Sequence, residues 1–124
     1  MRNLPIAYGN SCFAKTWTNK STTFDELCVR LEQTIRTTES AEEYPALPKV
    51  ERDRIKDKGG FVGGQLRDNR RKRGNVACRS MLTLDCDHAD VGFITRFTAE
   101  CQHAACLYTT RGHTPKAQRV RIIV

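Results

Sequence analysis

Asp85 and Asp87 stand two residues apart at the end of the run Arg79-Ser80-Met81-Leu82-Thr83-Leu84-Asp85-Cys86-Asp87, in which alternating apolar and polar residues from Leu82 on lead into the two carboxylates. On a strand that spacing points both side chains to one face, about 6–7 Å apart at the backbone. Two like charges held so close repel unless a cation lies between them. A hard divalent ion such as Mg2+ or Mn2+ takes carboxylate oxygens and keeps positions open for water and substrate phosphates. The same pair also suits an Asx-rich turn closing the strand. Neighbouring residues decide between the two.

About twenty residues on, Tyr108-Thr109-Thr110-Arg111-Gly112-His113 ends a second strand-like segment. A right-handed β-α-β crossover places two such strands side by side, with Thr110, Arg111 and His113 near the carboxylates. Carboxylates, a histidine and arginines are the parts phosphoryl transfer needs: ions neutralise charge, and basic groups hold the phosphates. Arg119 and Arg121 alternate with Val120 and Ile122, so both guanidinium groups leave one face of the last strand. Their planar donors suit phosphate oxygens; an exposed strand face explains the pattern equally well.

The elements that must position these groups read as follows. Ile6 to Tyr8 and Ser11 to Trp17 are strand-like, joined by Gly9-Asn10, and residues 19–23 form a polar break. Thr22 or Thr23 caps a helix from Phe24 to about Arg36, whose apolar stripe is Phe24, Leu27, Cys28, Leu31 and Ile35. Ser40 to Tyr44 begins a short helix ended by Pro45. Pro48 opens another helix, Lys49 to about Lys58, with Val50 and Ile55 as its apolar contacts. Gly59-Gly60-Phe61-Val62-Gly63-Gly64 breaks it, by close backbone approach or two tight turns. Val76 to Leu84 is a strand, Val91 to about His103 an amphipathic helix, Ala104 to Thr109 and Arg119 to Val124 strands. The order indicates an α/β (α+β) sandwich with a mixed or antiparallel sheet.

Charge narrows the class. Of the net +7, residues 1–48 contribute −1, residues 49–79 contribute +7 with eleven Lys/Arg against four Asp/Glu, and residues 80–124 contribute +1. The middle third supplies the excess, which is the footprint of a polyanion partner or of a solvated loop. Within it, a basic loop at 65–75 carries Arg67, Arg70, Arg71, Lys72 and Arg73. The six cysteines lack the density of a disulfide scaffold and include no C-x-x-C pair. Cys101, His103 and Cys106 make a loose C-x-H-x-x-C, but without a fourth ligand the cysteines read as small hydrophobes. No apolar run reaches bilayer length, and the first residues do not form a signal peptide, so a cytoplasmic location is expected.

Together, residues 55–64, the basic loop, residues 80–87 and the stretch Tyr108-Thr109-Thr110-Arg111-Gly112-His113-Thr114-Pro115 resemble the N-terminal region of virulence-associated protein E-type proteins. These belong with the primase-polymerases of the archaeo-eukaryotic primase superfamily, found in phages and mobile elements. The likeness covers residues 50–124 well and the first fifty loosely. It implies an RRM-like primase core and one primase-polymerase-like domain over 1–124. Asp85 and Asp87 match the motif that binds catalytic Mg2+ or Mn2+, and His113 the histidine that contacts the phosphates of the incoming nucleotide, beside Arg111, Arg119 and Arg121. The small hydroxyl residue usual two positions before that histidine is replaced by Arg111, with Thr110 one further back. The third acidic motif, on a later strand, and the helicase-like region are not in these 124 residues, so a C-terminally incomplete catalytic domain is expected.

The first reading is therefore a DNA primase/polymerase-like nucleotidyltransferase that acts on a DNA template and primer with nucleoside triphosphates by two-metal transfer. A non-catalytic nucleic-acid-binding module keeps the basic loop and uses the acidic pair structurally. A metal-dependent nuclease needs the carboxylates but no triphosphate pocket.

Overall fold

The computed structural model describes residues 2–124. The chain divides into two compact units, Met1–Ser80 and Met81–Val124. Both combine helices with antiparallel sheets, as the patterning predicts.

In the first unit, β1 (Leu4–Gly9) is flanked by β2 (Thr18–Thr22) and β3 (Gly60–Val62). A two-stranded ribbon, β4 (Gly64–Leu66) with β5 (Val76–Arg79), completes it. Most of the polar stretch 19–23, expected as a break, lies in strand β2: Thr18–Thr22 pairs with Leu4 to Tyr8 of β1, and sheet pairing outweighs its weak strand propensity. Ser11 to Trp17, expected as strand, is instead the loop between β1 and β2. The core gathers Ala7, Trp17 and Leu66, with Ala14, Val62 and Val76 packed on it. Ile6 and Leu27 are fully buried.

Helix α1 (Phe24–Glu32) starts where its cap dictates. The Thr23 hydroxyl accepts from the Glu26 N–H and the Glu26 carboxylate accepts from the Thr23 N–H, a capping box. It ends four residues short of Arg36, leaving Ile35 exposed. A one-turn helix α2 (Glu43–Ala46) contains Pro45, which fits within a first turn, where amides lack partners anyway. Helix α3 (Lys49–Lys56) exposes Val50, expected as a contact, and half-buries Ile55.

The glycine-rich segment brings backbone against backbone. Gly59 has φ +84°, and a Cβ there would strike the Gly9 carbonyl; one on Gly64 would strike the Cys78 carbonyl across the ribbon. Gly64→Ala is expected to part β4 from β5 and destabilise the protein by about 1–3 kcal/mol, read as a lower urea midpoint. An unchanged midpoint would refute the tight approach.

The second unit is one sheet, ordered β6 (Thr83–Ala89), β8 (Gln118–Ile123), β7 (Cys106–Thr109), with α4 (Phe93–Glu100) connecting β6 to β7. Two expectations are corrected here. The run 76–84 is not one strand: the Ser80 hydroxyl donates to the Pro5 carbonyl and its N–H to Gly63, which ends β5, and Asp85 and Asp87 lie inside β6 rather than at its end. Nor do β6 and β7 lie side by side, because β8 pairs antiparallel with both. Helix α4 is also shorter than predicted, and Val91 is exposed outside it. The Asp90 carboxylate accepts from the Gly92 N–H at its start and pairs with Arg96, which holds that carboxyl below its usual range. No helix among the described residues is long and apolar enough to cross a membrane.

Candidate functional site

Central placement of β8 decides the second unit's chemistry. Side chains alternate along a strand, so Val120 and Ile122, both buried, take one face and Arg119 and Arg121 the other. Arg121 sits opposite Asp85 on one side and Tyr108 on the other, so the three form a row across the sheet. The Arg121 Nε donates to Asp85 Oδ1 at 2.5 Å and Nη2 to Oδ2 at 3.2 Å. This forked contact raises the affinity of the guanidinium for its proton. Burial pushes the Tyr108 phenol up, partly offset by its hydrogen bond with Arg121. The carboxylate expected to suffer a like charge is thus already compensated by a cation from the neighbouring strand.

Asp87 lies where the β6–β8 pairing slips. Cys86 faces Val120 and Ala89 faces Gln118, so Asp87 and His88 together oppose Arg119. This bulge interrupts the regular pleat that the two-residue spacing presumes, and bulges re-aim side chains. Asp87 is exposed, and among the described residues no ion pair holds it.

The β7–β8 connection brings His113 back onto β8. Its N–H donates to the Thr110 carbonyl at 2.9 Å, and its Nδ1 accepts from the Arg119 N–H at 3.2 Å. Accepting at Nδ1 puts the ring proton of neutral His113 on Nε2, a donor. Gly112 lies against the Arg119 side chain, where a Cβ would be 3.0 Å from Cδ and 3.2 Å from Nε. Strand β8 therefore carries both the Asp85–Arg121 pair and, two residues along, Arg119, whose backbone N–H bonds His113. Arg111 is half-buried in the same turn.

The basic loop belongs to the first unit and is built rather than merely solvated. Arg67–Asn69 forms a 3-10 turn, with Asp68 and Asn69 in the left-handed region that such short polar residues tolerate. Buried Asn75 donates from its side chain to the Arg67 and Arg70 carbonyls, and its own carbonyl accepts from the Arg67 N–H at 2.7 Å. The Arg67 side chain donates to the Gly74 carbonyl. Asn19 bonds Leu66 and Asn69, and the Asn69 carbonyl accepts from the Trp17 N–H. Arg71 lies over the Trp17 ring at 5.4 Å. Arg67, Arg70, Arg71, Lys72 and Arg73 are all exposed.

Sequence reasoning missed the wall opposite this loop. Cys12, Phe13, Ala14 and Lys15 face Arg70, Arg71 and Lys72 across an open cleft of about 450 Å3. The available signal is an aromatic two residues from a lysine just after the turn-prone Gly9-Asn10-Ser11.

Among the described residues no group of three His, Cys, Asp or Glu side chains is placed to hold a metal ion, which includes the Cys101, His103 and Cys106 cluster. All six cysteines are free thiols. Compared with known proteins, residues 1–124 match the family model described as the VapE N-terminal domain. No curated protein and no solved structure matches significantly.

Proposed function

Because the chain belongs to the VapE N-terminal domain family, we propose that it is a replication-associated, primase-polymerase-type domain that binds nucleoside triphosphate and DNA. The observation that carries this reading is the gathering of Asp85, Arg121 and Arg119 on one sheet, with His113 bonded to β8 at the Arg119 N–H. A β-α-β-β order with the third strand between the first two is also the first half of the split β-α-β arrangement that an RRM-like core uses.

In this reading Arg119 and Arg121 bind phosphate oxygens, and His113 donates from Nε2 while Nδ1 stays fixed on β8. DNA template and primer lie on Arg67, Arg70, Arg71, Lys72 and Arg73. The transfer is attack of a 3′-hydroxyl on the α-phosphate, with pyrophosphate leaving. Asp85 and Asp87 offer the hard oxygens that suit Mg2+ or Mn2+. Arg121 covers both Asp85 oxygens, so these residues fit one loosely held ion, completed by water and phosphate, and not a pair. When bound, such an ion neutralises phosphate charge. Releasing Asp85 for it requires Arg121 to turn toward the triphosphate.

Thermal unfolding with Mn2+ and each nucleotide tests the site. Saturation at about 100 times Kd is expected to stabilise the protein by about 2.7 kcal/mol, and Arg119→Ala or His113→Ala to remove most of that gain. If no nucleotide raises the midpoint, the triphosphate reading is wrong. A second reading, a non-catalytic nucleic-acid-binding module, is favoured by the Asp85–Arg121 pair itself; DNA binding indifferent to Mg2+, without nucleotide protection, selects it.

A further inference from the structure

Phe13 is a large apolar side chain left 83% exposed, yet its backbone is fastened. The Asp57 carboxylate accepts from the Ser11 hydroxyl at 2.5 Å and from the Cys12 N–H at 2.9 Å, and these bonds hold its carboxyl below the usual range. The Ser11 hydroxyl in turn accepts from the Phe13 N–H, and the Ala14 N–H closes the turn onto the Ser11 carbonyl. Trp17 bonds the Ala14 carbonyl with its ring and the Asn69 carbonyl with its backbone N–H, tying this loop to the basic one.

An exposed ring on a fastened backbone beside Lys15, Arg70, Arg71 and Lys72 has a specific chemical complement. Phosphates satisfy the four cations, and a flat apolar face satisfies the ring. Unpaired nucleotides present both, because every base has a π-face that stacks on aromatic side chains regardless of sequence. A duplex hides those faces and offers only phosphates. A folded acidic peptide would meet the charges but leave the ring unused.

We propose that this cleft is a binding site for single-stranded nucleic acid, with an unpaired base stacked on Phe13 and flanking phosphates on Lys15, Arg70, Arg71 and Lys72. The inference rests on the reading of the basic loop as a nucleic-acid contact and adds its strandedness and its stacking residue. Fixing both loops before binding reduces the ordering cost of the complex.

Fluorescence anisotropy on the full chain tests it, using labelled oligothymidine and oligouridine of about 12 nucleotides and a blunt duplex of the same length. Phe13→Ala is expected to weaken single-strand binding about 5- to 100-fold, to leave duplex binding within about twofold, and to be rescued by Phe13→Trp. Emission from Trp17, the single tryptophan, is expected to change on saturation because Arg71 lies over its ring. The oligouridine arm shows whether the site takes RNA as well as DNA, and either strand satisfies the proposal. If Phe13→Ala binds single strands as the parent does, or weakens duplex equally, the stacking site is refuted while the basic-loop reading stands. If the parent binds neither form, both fall.

Discussion

Changing Arg70, Arg71, Lys72 and Arg73 to serine is expected to weaken nucleic-acid binding for every sequence and to flatten its salt dependence. Each phosphate contact releases condensed counterions, so the slope of log K against log salt falls by about 0.7 per contact on single strands and about 0.9 on duplex. Loss of four contacts lowers the slope by about three. Between 50 and 200 mM salt, a decrease of that size alone corresponds to a change on the order of 50-fold in how strongly salt weakens binding. The scaffold makes this test clean. Asn75, Asn19 and the left-handed residues Asp68 and Asn69 hold the loop through backbone carbonyls and amides, and the four replaced side chains take no part in those bonds. The fold is expected to survive, with unfolding midpoints close to the parent's. A slope unaltered by the four substitutions would reduce the loop to solvated surface.

How far the sequence discloses this molecule depends on the range of the interactions. Local signals were readable: Thr23 three residues before Glu26 forms the capping box, and the basic run forms an exposed loop. Where an element depends on a partner far along the chain, patterning misleads. The segment 11–17 is strand-like in composition, but Asp57, some 45 residues away, ties Ser11 and Cys12 into a turn. The run 76–84 is rich in strand formers too, but Ser80 is taken by Pro5 across 75 residues, which ends β5. Apolar residues counted into helical stripes, Ile35, Val50 and Val91, lie in the open because their helices are shorter than periodicity suggests or face solvent there.

The same distinction holds at the candidate site. Asp85, Asp87, His113, Arg119 and Arg121 were legible as residue types that handle phosphate. Their arrangement was not, because strand order is a non-local property. Interposing β8 between β6 and β7 gives Asp85 an arginine partner 36 residues on, where spacing alone predicted a carboxylate pair waiting for a cation. The bulge at Asp87 likewise arises from pairing and leaves no mark in the alternation.

These 124 residues by themselves are not expected to extend a primer at an appreciable rate. Two-metal transfer holds its ions about 3.5–4 Å apart, each touching a reacting oxygen. Here both oxygens of Asp85 are engaged by Arg121, at 2.5 and 3.2 Å. Asp87 sits in a bulge, and among the described residues no three potential ligands converge. One ion held loosely between two carboxylates leaves the second unfixed, and misplacement by about 1 Å costs on the order of 100-fold in rate. Phosphate contacts from His113, Arg119 and Arg121 do not depend on that second ion, so nucleotide binding is expected where turnover is not. Replacing Asp85 and Asp87 with asparagine should remove Mn2+ binding. Because the Asp85–Arg121 pair is half-exposed, the accompanying stability cost should stay within about 1 kcal/mol. The deciding assay incubates the chain with primed template, Mn2+ and all four nucleotides. Robust extension that vanishes in Asp85→Asn would show that Arg121 yields the carboxylate readily and that the site, as folded, already places both ions.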